Sequence, residues 1–407
     1  MRRMNTPNET ILVPAPLQIA LVTETYLPEV NGVAITIGRM VHGLRLRGHR
    51  IHLIRPRQDK QDVAWIEPDY KETLVVGMPI PGYPELKSGL PAKGILTRLW
   101  AQQRPDIVHI ATEGPLGWSA LSAARKLSIP VSTDFHTNFH NYSQHCGVGL
   151  LKKPIAAYLR HFHNKAGCTL VPTVSLQEQL EQEGYRNVRV VSRGVDTELF
   201  HPSRRDPGLR TSWCAADDTP VVMLVSRLAP EKNLNVVAQA FEQMRSVNPL
   251  ARLVMVGDGP ARAELQRQHP QVIFAGMQTG EALARHYASG DIFLYPSLTE
   301  TYGNVTVEAM ASGLATVAYD YAAARQHIRH DVNGLLVPFA DTDAFITQAK
   351  GLVSNMDRVQ RLRAAARQSV ESLTWEHIMG QMEAVLVDTV RKQGGQNVQP
   401  ELSASAD

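Results

Sequence analysis

Two glutamates stand eight residues apart in Pro296-Ser297-Leu298-Thr299-Glu300-Thr301-Tyr302-Gly303-Asn304-Val305-Thr306-Val307-Glu308, directly after the apolar run Ile292–Tyr295. Glu300 ends a loop and Glu308 falls on the helix that follows. Gly303 sits where that helix begins, so the amides of Gly303, Asn304 and Val305 project from its N-terminus as an anion site. Carboxylates accept hydrogen bonds from pairs of hydroxyls. Two of them around a phosphate cradle therefore suit a ligand that is both polyhydroxylated and phosphorylated. A lone pair of glutamates is more simply a solvated helix face. The glycine between these two and the apolar strand before them favour a site.

A second cluster, Ser226-Arg227-Leu228-Ala229-Pro230-Glu231-Lys232-Asn233-Leu234, follows the apolar run Val221–Val225. Arg227 and Lys232 can neutralise a departing diphosphate. As mere surface cations at a helix start they would oppose the helix dipole. The third is His136, first past the run Val131–Asp134 and a candidate for the active site. His136 and His140 have a zinc-ligand spacing, with His145 and Cys146 beyond, but neither an H-E-x-x-H pattern nor a thiolate pair accompanies them. No metal is expected. Gly32, after the first strand, lets the backbone approach a ligand closely. Gly257-Asp258-Gly259 hints at a dinucleotide fingerprint, but Arg262 stands where the third glycine belongs. Asp341-Thr342-Asp343 reads more simply as a helix N-cap than as a metal-binding D-x-D.

The elements that must position these residues alternate. Strands are expected at Leu17–Thr23, Ile51–Ile54, Thr73–Val76, Ile107–Ile110, Val131–Asp134, Thr169–Pro172 and Val188–Val191, with helical periodicity between them, including Leu151–Ala166. A second series runs from Pro220 through Val221–Val225, Leu253–Val256, Val272–Phe274, Ile292–Tyr295, Thr316–Tyr319 and Gly334–Pro338. Such alternation means α/β domains with parallel sheets covered on both faces. In open sheets of this kind ligands sit beyond the carboxyl ends of the strands, where every candidate above lies. The expected organisation is a disordered lead-in 1–16, an N-terminal domain 17–196, and a linker 197–219 rich in proline and charge. A C-terminal domain 220–375 follows, then a helix 376–392 crossing back to the N-terminal domain and a disordered tail 393–407.

At 407 residues the chain suits two or three domains of ~150 residues. Lys plus Arg is 42 and Asp plus Glu is 39, a near-balance that argues against a protein that coats nucleic-acid phosphates. Three cysteines exclude a disulfide framework and point to a reducing, cytoplasmic compartment. Met1-Arg2-Arg3 is followed by no apolar h-region, and no stretch is long and apolar enough to span a bilayer. The balance hides a split: residues 1–200 carry 23 Lys/Arg and 17 Asp/Glu. Lys152, Lys153, Arg160 and Lys165 surround Leu150, Leu151, Ile155 and Leu159. That pattern fits docking on an anionic membrane at its inner face, and equally a solvated helix.

Arg-Leu-Ala-Pro-Glu-Lys-Asn-Leu, then Gly-Asp-Gly-Pro, then the Glu300–Glu308 segment, in this order, resemble glycosyltransferase family 4. Asn31-Gly32-Val33, the run from Phe135 to Tyr142 and Arg193-Gly194-Val195-Asp196 resemble the branch with bacterial GDP-mannose-dependent α-mannosyltransferases and glycosyl-diacylglycerol synthases. The resemblance covers about residues 17–390. It implies the GT-B fold, two Rossmann-like doubly wound domains facing a cleft. It also implies a retaining transfer of a hexose from a nucleotide diphosphate sugar to a lipid-linked or glycan acceptor, in glycolipid or cell-envelope glycan synthesis, with no metal or other cofactor. By this likeness Glu300 holds hydroxyls of the donor sugar and Glu308 the ribose. Arg227 and Lys232 take the diphosphate, and the amides at Gly303, Asn304 and Val305 its distal phosphate. Tyr302 belongs to the donor-binding loop, where many members have Phe. His136 lies by the sugar and Gly32 by the diphosphate, although many members carry Gly-Gly where this chain has Asn31-Gly32. The alternatives are a nucleotide-sugar epimerase of related architecture and a non-catalytic sugar-nucleotide or lipid-binding protein.

Overall fold

A computed structural model describes residues 15–29, 31–80, 83–136 and 152–396. The lead-in up to residue 14, the tail beyond 396, and Val30, His140, His145, Cys146, Leu150 and Leu151 lie outside them. The described residues divide into two compact units, one reaching to Thr133 and resuming at Glu383, the other Asp134–Met382.

The chain begins with β1 (Gln18–Val22), α1 (Gly32–Leu46), β2 (Arg50–Pro56), β3 (Ile66–Glu67), β4 (Tyr70–Val75), β5 (Gly77–Ile80) and β6 (Tyr83–Gly89). It continues with α2 (Lys93–Gln102), β7 (Ile107–Ile110), α3 (Pro115–Lys126), β8 (Val131–Asp134), α4 (Lys152–His163), β9 (Cys168–Val171), α5 (Val174–Gln182) and β10 (Val188–Val190). One sheet runs β10-β9-β8-β7-β1-β2-β4-β3. β1 is parallel to both β2 and β7, and β3 is antiparallel to β4. β5 and β6 form a separate antiparallel hairpin. Ile19, Ala20, Leu21 and Val22 are all buried, as a strand covered on both faces requires.

The second series is α6 (Pro207–Ser212), β11 (Val221–Val225), α7 (Leu234–Val247), β12 (Arg252–Val256), α8 (Arg262–Gln268), β13 (Ile273–Gly276), α9 (Gly280–Ser289) and β14 (Ile292–Tyr295). Then come α10 (Asn304–Ala311), β15 (Ala315–Tyr319), α11 (Ala322–His327), β16 (Leu335–Val337), α12 (Thr342–Val353), α13 (Met356–Val370) and α14 (Trp375–Gln396). Its sheet is wholly parallel, in the order β13-β12-β11-β14-β15-β16. The order reverses between β11 and β14. Side connections diverge there, which opens a crevice at the strands' carboxyl ends. The Arg227–Lys232 segment leaves β11 and the Glu300 loop leaves β14, so the topology brings the two together.

Two expectations need correction. The stretch 197–219 is no spacer. Pro207 opens α6, whose free N–H groups Asp206 caps through Gly208 and Leu209. Arg210 and Trp213 are buried in the second unit. The prolines read as chain breakers, but proline at a helix's first position removes only an amide that had no partner. In α4, the apolar residues of the pattern that are described pack inside the fold. Leu159 lies in a buried cluster with Phe135, Leu176, Leu180 and Tyr185, and Phe162 is buried as well. Lys153 and Arg160 stay exposed. Among the described residues no helix is long and apolar enough to cross a membrane.

The second unit is tied at the start of its sheet by one carboxylate. Asp291 is 3% exposed and accepts from Arg210 at 3.2 Å, Arg205 at 3.1 Å, Arg363 at 2.9 Å and the Val221 amide at 2.9 Å. Removing one partner of a buried ion pair strands the others' charge. Asp291→Asn is therefore expected to destabilise the folded chain by about 3–5 kcal/mol, read as a lower urea midpoint by far-UV circular dichroism. An unchanged midpoint would show that the three guanidiniums are satisfied without it.

Candidate active site

The loop after β11 is shaped from behind by backbone. Gly257 has φ +128°, and a Cβ there would lie 1.9 Å from the Ser226 carbonyl oxygen. The Leu228 amide bonds the Asp258 carbonyl at 2.8 Å. The two glycines noted in the sequence thus serve close backbone approach. A short 3-10 turn, Pro230–Lys232, follows. It ends at Asn233 in the left-handed region with φ 55°, and α7 starts there.

This turn brings Lys232 Nζ to 2.5 Å from Glu300 Oε1 and 3.4 Å from the Tyr295 hydroxyl. Tyr295 and Ser297 also donate to Glu300 Oε1, at 2.5 and 2.7 Å. Burial alone pushes the Lys232 ammonium down, but Tyr295 and Glu300 beside it outweigh that and hold it above its ordinary value. All three donors converge on Oε1, which leaves Oε2 to accept a ligand hydroxyl. The Tyr321 hydroxyl donates to the Glu300 carbonyl at 2.8 Å and fixes the loop. Arg227 forms an ion pair with Glu231. Its side chain is 43% exposed, so a polyanion can reach it.

Gly303 is the N-cap of α10 with φ 92°, and no side chain caps the helix. An L side chain would be strained in that conformation, whatever the space. The uncapped amides at Asn304 and Val305 remain as an anion site beside Glu300. One turn on, Glu308 is half-buried and accepts from Tyr287 at 3.0 Å. Burial raises its carboxyl to about 7, partly offset by the Tyr287 bond.

Tyr302 is buried, and its hydroxyl reaches the Arg193 carbonyl at 3.1 Å and His327 Nε2 at 2.9 Å. Burial lowers His327 to about 4, which keeps it neutral. Its role in the loop is to anchor the residue before Gly303. His136 is also buried, with Nε2 at 2.9 Å from Asp134 Oδ2 and Nδ1 at 3.2 Å from Arg193 Nη2. Gly32 opens α1 in the first unit, where a Cβ would meet nothing within 4 Å; Asn31 before it caps the helix by accepting from Ala34 at 2.8 Å. Asp341 likewise caps α12, accepting from Ala344 at 3.0 Å. Among the described residues no group of three His, Cys, Asp or Glu could hold a metal.

The geometry thus gathers Lys232, Glu300, Gly303 and Glu308 beyond the carboxyl ends of β11 and β14, with Tyr295, Ser297 and Tyr287 as their supports and Asp134 and Arg193 as those of His136. The sequence assigns none of these supports a role, although Ser297 and Arg193 fall within the runs quoted above and Tyr295 stands at a strand end.

A family model described as Glycosyltransferase Family 4 matches residues 30–199, and one described as Glycosyl transferases group 1 matches residues 219–355. A GDP-mannose-dependent alpha-mannosyltransferase of Mycolicibacterium smegmatis is 34% identical over 377 residues, which span 91% of this chain and 98% of the relative. The chain belongs to glycosyltransferase family 4. An alpha-monoglucosyldiacylglycerol synthase of Streptococcus pneumoniae is 28% identical, over 74% of this chain and 71% of its own length. Among solved structures, a sucrose-phosphate synthase from Thermosynechococcus elongatus superposes with a TM-score of 0.74 at 18% identity, covering 91% of this chain and 98% of that one. That likeness concerns fold alone. The architecture is GT-B, with two Rossmann-like parallel sheets, and family membership makes the chain a hexosyltransferase of the retaining type.

Proposed function

We propose that this chain transfers mannose from GDP-mannose to a lipid-linked acceptor, with retention at the anomeric carbon. The observation that carries the reading is the convergence of Lys232, Tyr295 and Ser297 on Glu300, beside the uncapped start of α10. The mycobacterial relative's name supports the donor, and the diacylglycerol synthase supports a lipid acceptor. The bond that breaks joins the anomeric carbon to the diphosphate. Charge builds on the leaving phosphate, where Lys232, Arg227 and the α10 amides meet it without reorganising. A diphosphate leaves without a general acid. Glu300 Oε2 grips a sugar hydroxyl, Glu308 takes the ribose, and His136 lies toward the sugar. Among the described residues of the site no side chain offers itself as a nucleophile. The acceptor hydroxyl attacks on the face the diphosphate leaves, and a departing phosphate oxygen takes its proton.

Because the apolar side of α4 is used inside the fold, membrane contact would rest on exposed cations such as Lys153 and Arg160. Such contact is electrostatic and weakens with salt. One screen tests donor, acceptor and surface together: release of nucleoside diphosphate from GDP-mannose, UDP-glucose and UDP-galactose, with polar lipids in neutral or anionic vesicles. The expected result is GDP release that requires lipid, yields a mannosylated product, and rises with anionic lipid. Release from UDP-sugars alone would replace the donor. Turnover that ignores lipid would replace the acceptor.

A further inference from the structure

Arg193 lies just past β10, in the Arg193-Gly194-Val195-Asp196 run, where the resemblance assigns its side chain no role, and is 3% exposed. Its Nη2 is 3.2 Å from His136 Nδ1 and 3.7 Å from Asp134 Oδ2. Its carbonyl accepts the Tyr302 hydroxyl at 3.1 Å. One residue thus touches both His136 and the loop that presents Gly303. A guanidinium has donors and no lone pair, so a ring nitrogen facing it must be the acceptor. His136 Nδ1 is therefore unprotonated, and the ring proton sits on Nε2, which lies 2.9 Å from Asp134 Oδ2. Asp134 and His136 are 0% and 8% exposed, so water does not compete for these atoms.

We propose that Arg193 is a positioning residue that fixes the tautomer and ring orientation of His136 and ties it to the Tyr302–Gly303 loop. The proposal rests on the glycosyltransferase reading for its kinetic consequence, though not for its structural one. Without the Arg193 side chain, Nδ1 loses its donor while the Tyr302 contact, made by a backbone carbonyl, persists. The ring then turns about its χ2 bond and samples both tautomers. A misplaced group at a reacting centre costs rate more than affinity.

The test uses the full chain with nitrogen-15-labelled histidine, and His136→Asn identifies the His136 signals by difference. In the wild type these signals are expected to be those of a neutral ring protonated on Nε2. In Arg193→Met they shift toward a mixture of tautomers, and in Arg193→Lys, which keeps a donor, they stay closer to wild type. In turnover, Arg193→Met is expected to lower kcat by about 10²-fold with KM for the sugar nucleotide within about threefold. An unchanged His136 signal in Arg193→Met overturns the proposal, as does an unchanged kcat with a raised KM. If Arg193→Met does not fold, the Arg193→Lys spectrum and the wild-type tautomer decide: a wild-type ring protonated on Nδ1 overturns it outright. The spectra need no turnover, so a wild-type chain inactive with every sugar nucleotide would sink the functional reading alone.

Discussion

Lys232→Ala is expected to lower kcat/KM for the sugar nucleotide by about 10³-fold while the chain stays folded. Lys232 is the ammonium locked between Tyr295 and Glu300, at 3.4 and 2.5 Å. A fixed charge of this kind needs no reorganisation when the leaving phosphate develops its own. Its loss acts twice. The diphosphate loses a partner, and Glu300 loses the contact that holds Oε1 and so aims Oε2. Glu300 keeps Tyr295 and Ser297 as donors, so the loop does not collapse. Arg227→Ala is the internal control. Its guanidinium is 43% exposed and screened by water, so a loss nearer ~10-fold fits an exposed charge pair. Lys232→Arg should recover only part of the rate, because a planar fork does not replace a compact ammonium. Initial rates of nucleoside diphosphate release, with thermal melts alongside, measure all three. Near-wild-type turnover in Lys232→Ala would end the assignment of this cluster to the donor diphosphate.

The legible part of this molecule was the part written in period and punctuation. Short continuous apolar runs such as Val221–Val225 and Ile292–Tyr295 suit strands covered on both faces, and the divergence of the connections at β11 and β14 makes a crevice there. Reading past strand ends therefore found Lys232, Glu300 and Glu308. It passed over the groups whose meaning depends on a distant partner. Arg193 and Asp134 are ordinary polar residues until the ends of β8 and β10, on either side of β9, bring them within 3.7 Å. Tyr295 reads as a strand residue until Lys232 approaches from 63 positions away. The same limit explains the misread segments. The stretch around Pro207 looks like linker until Arg210 finds Asp291. The amphipathic pattern of α4 is real, but periodicity says only that one face is apolar, not whether protein or lipid covers it. Here Phe135, Leu176 and Tyr185 cover it.

Glu308 makes pH the second lever. Burial raises its carboxyl from 4.5 to about 7, so the folded chain binds this proton more tightly than the unfolded chain does. Stability from this group is then fully present below the unfolded value, and it is lost as pH rises through about 7. Ligand binding runs in the opposite direction. A carboxylate accepts from two hydroxyls, whereas its protonated form spends one oxygen as a donor. Affinity for the sugar nucleotide is therefore expected to rise across the pH interval in which stability falls. In Glu308→Gln both slopes vanish. Relative to wild type, its urea midpoint should gain between about pH 5.5 and pH 8, and its KM for the donor should be flat with pH. At about pH 8 that KM is expected to be ~10–100-fold above wild type, the cost of a lost charged hydrogen bond at about 1.5–3 kcal/mol. A donor KM in wild type that does not change with pH, together with an unchanged KM in Glu308→Gln, would remove Glu308 from the donor site. An altered stability slope with an unaltered KM would instead confine it to supporting Tyr287, whose hydroxyl it accepts at 3.0 Å. The two slopes have opposite signs because the same proton that relieves a buried charge in the ligand-free chain occupies the oxygen a ligand needs.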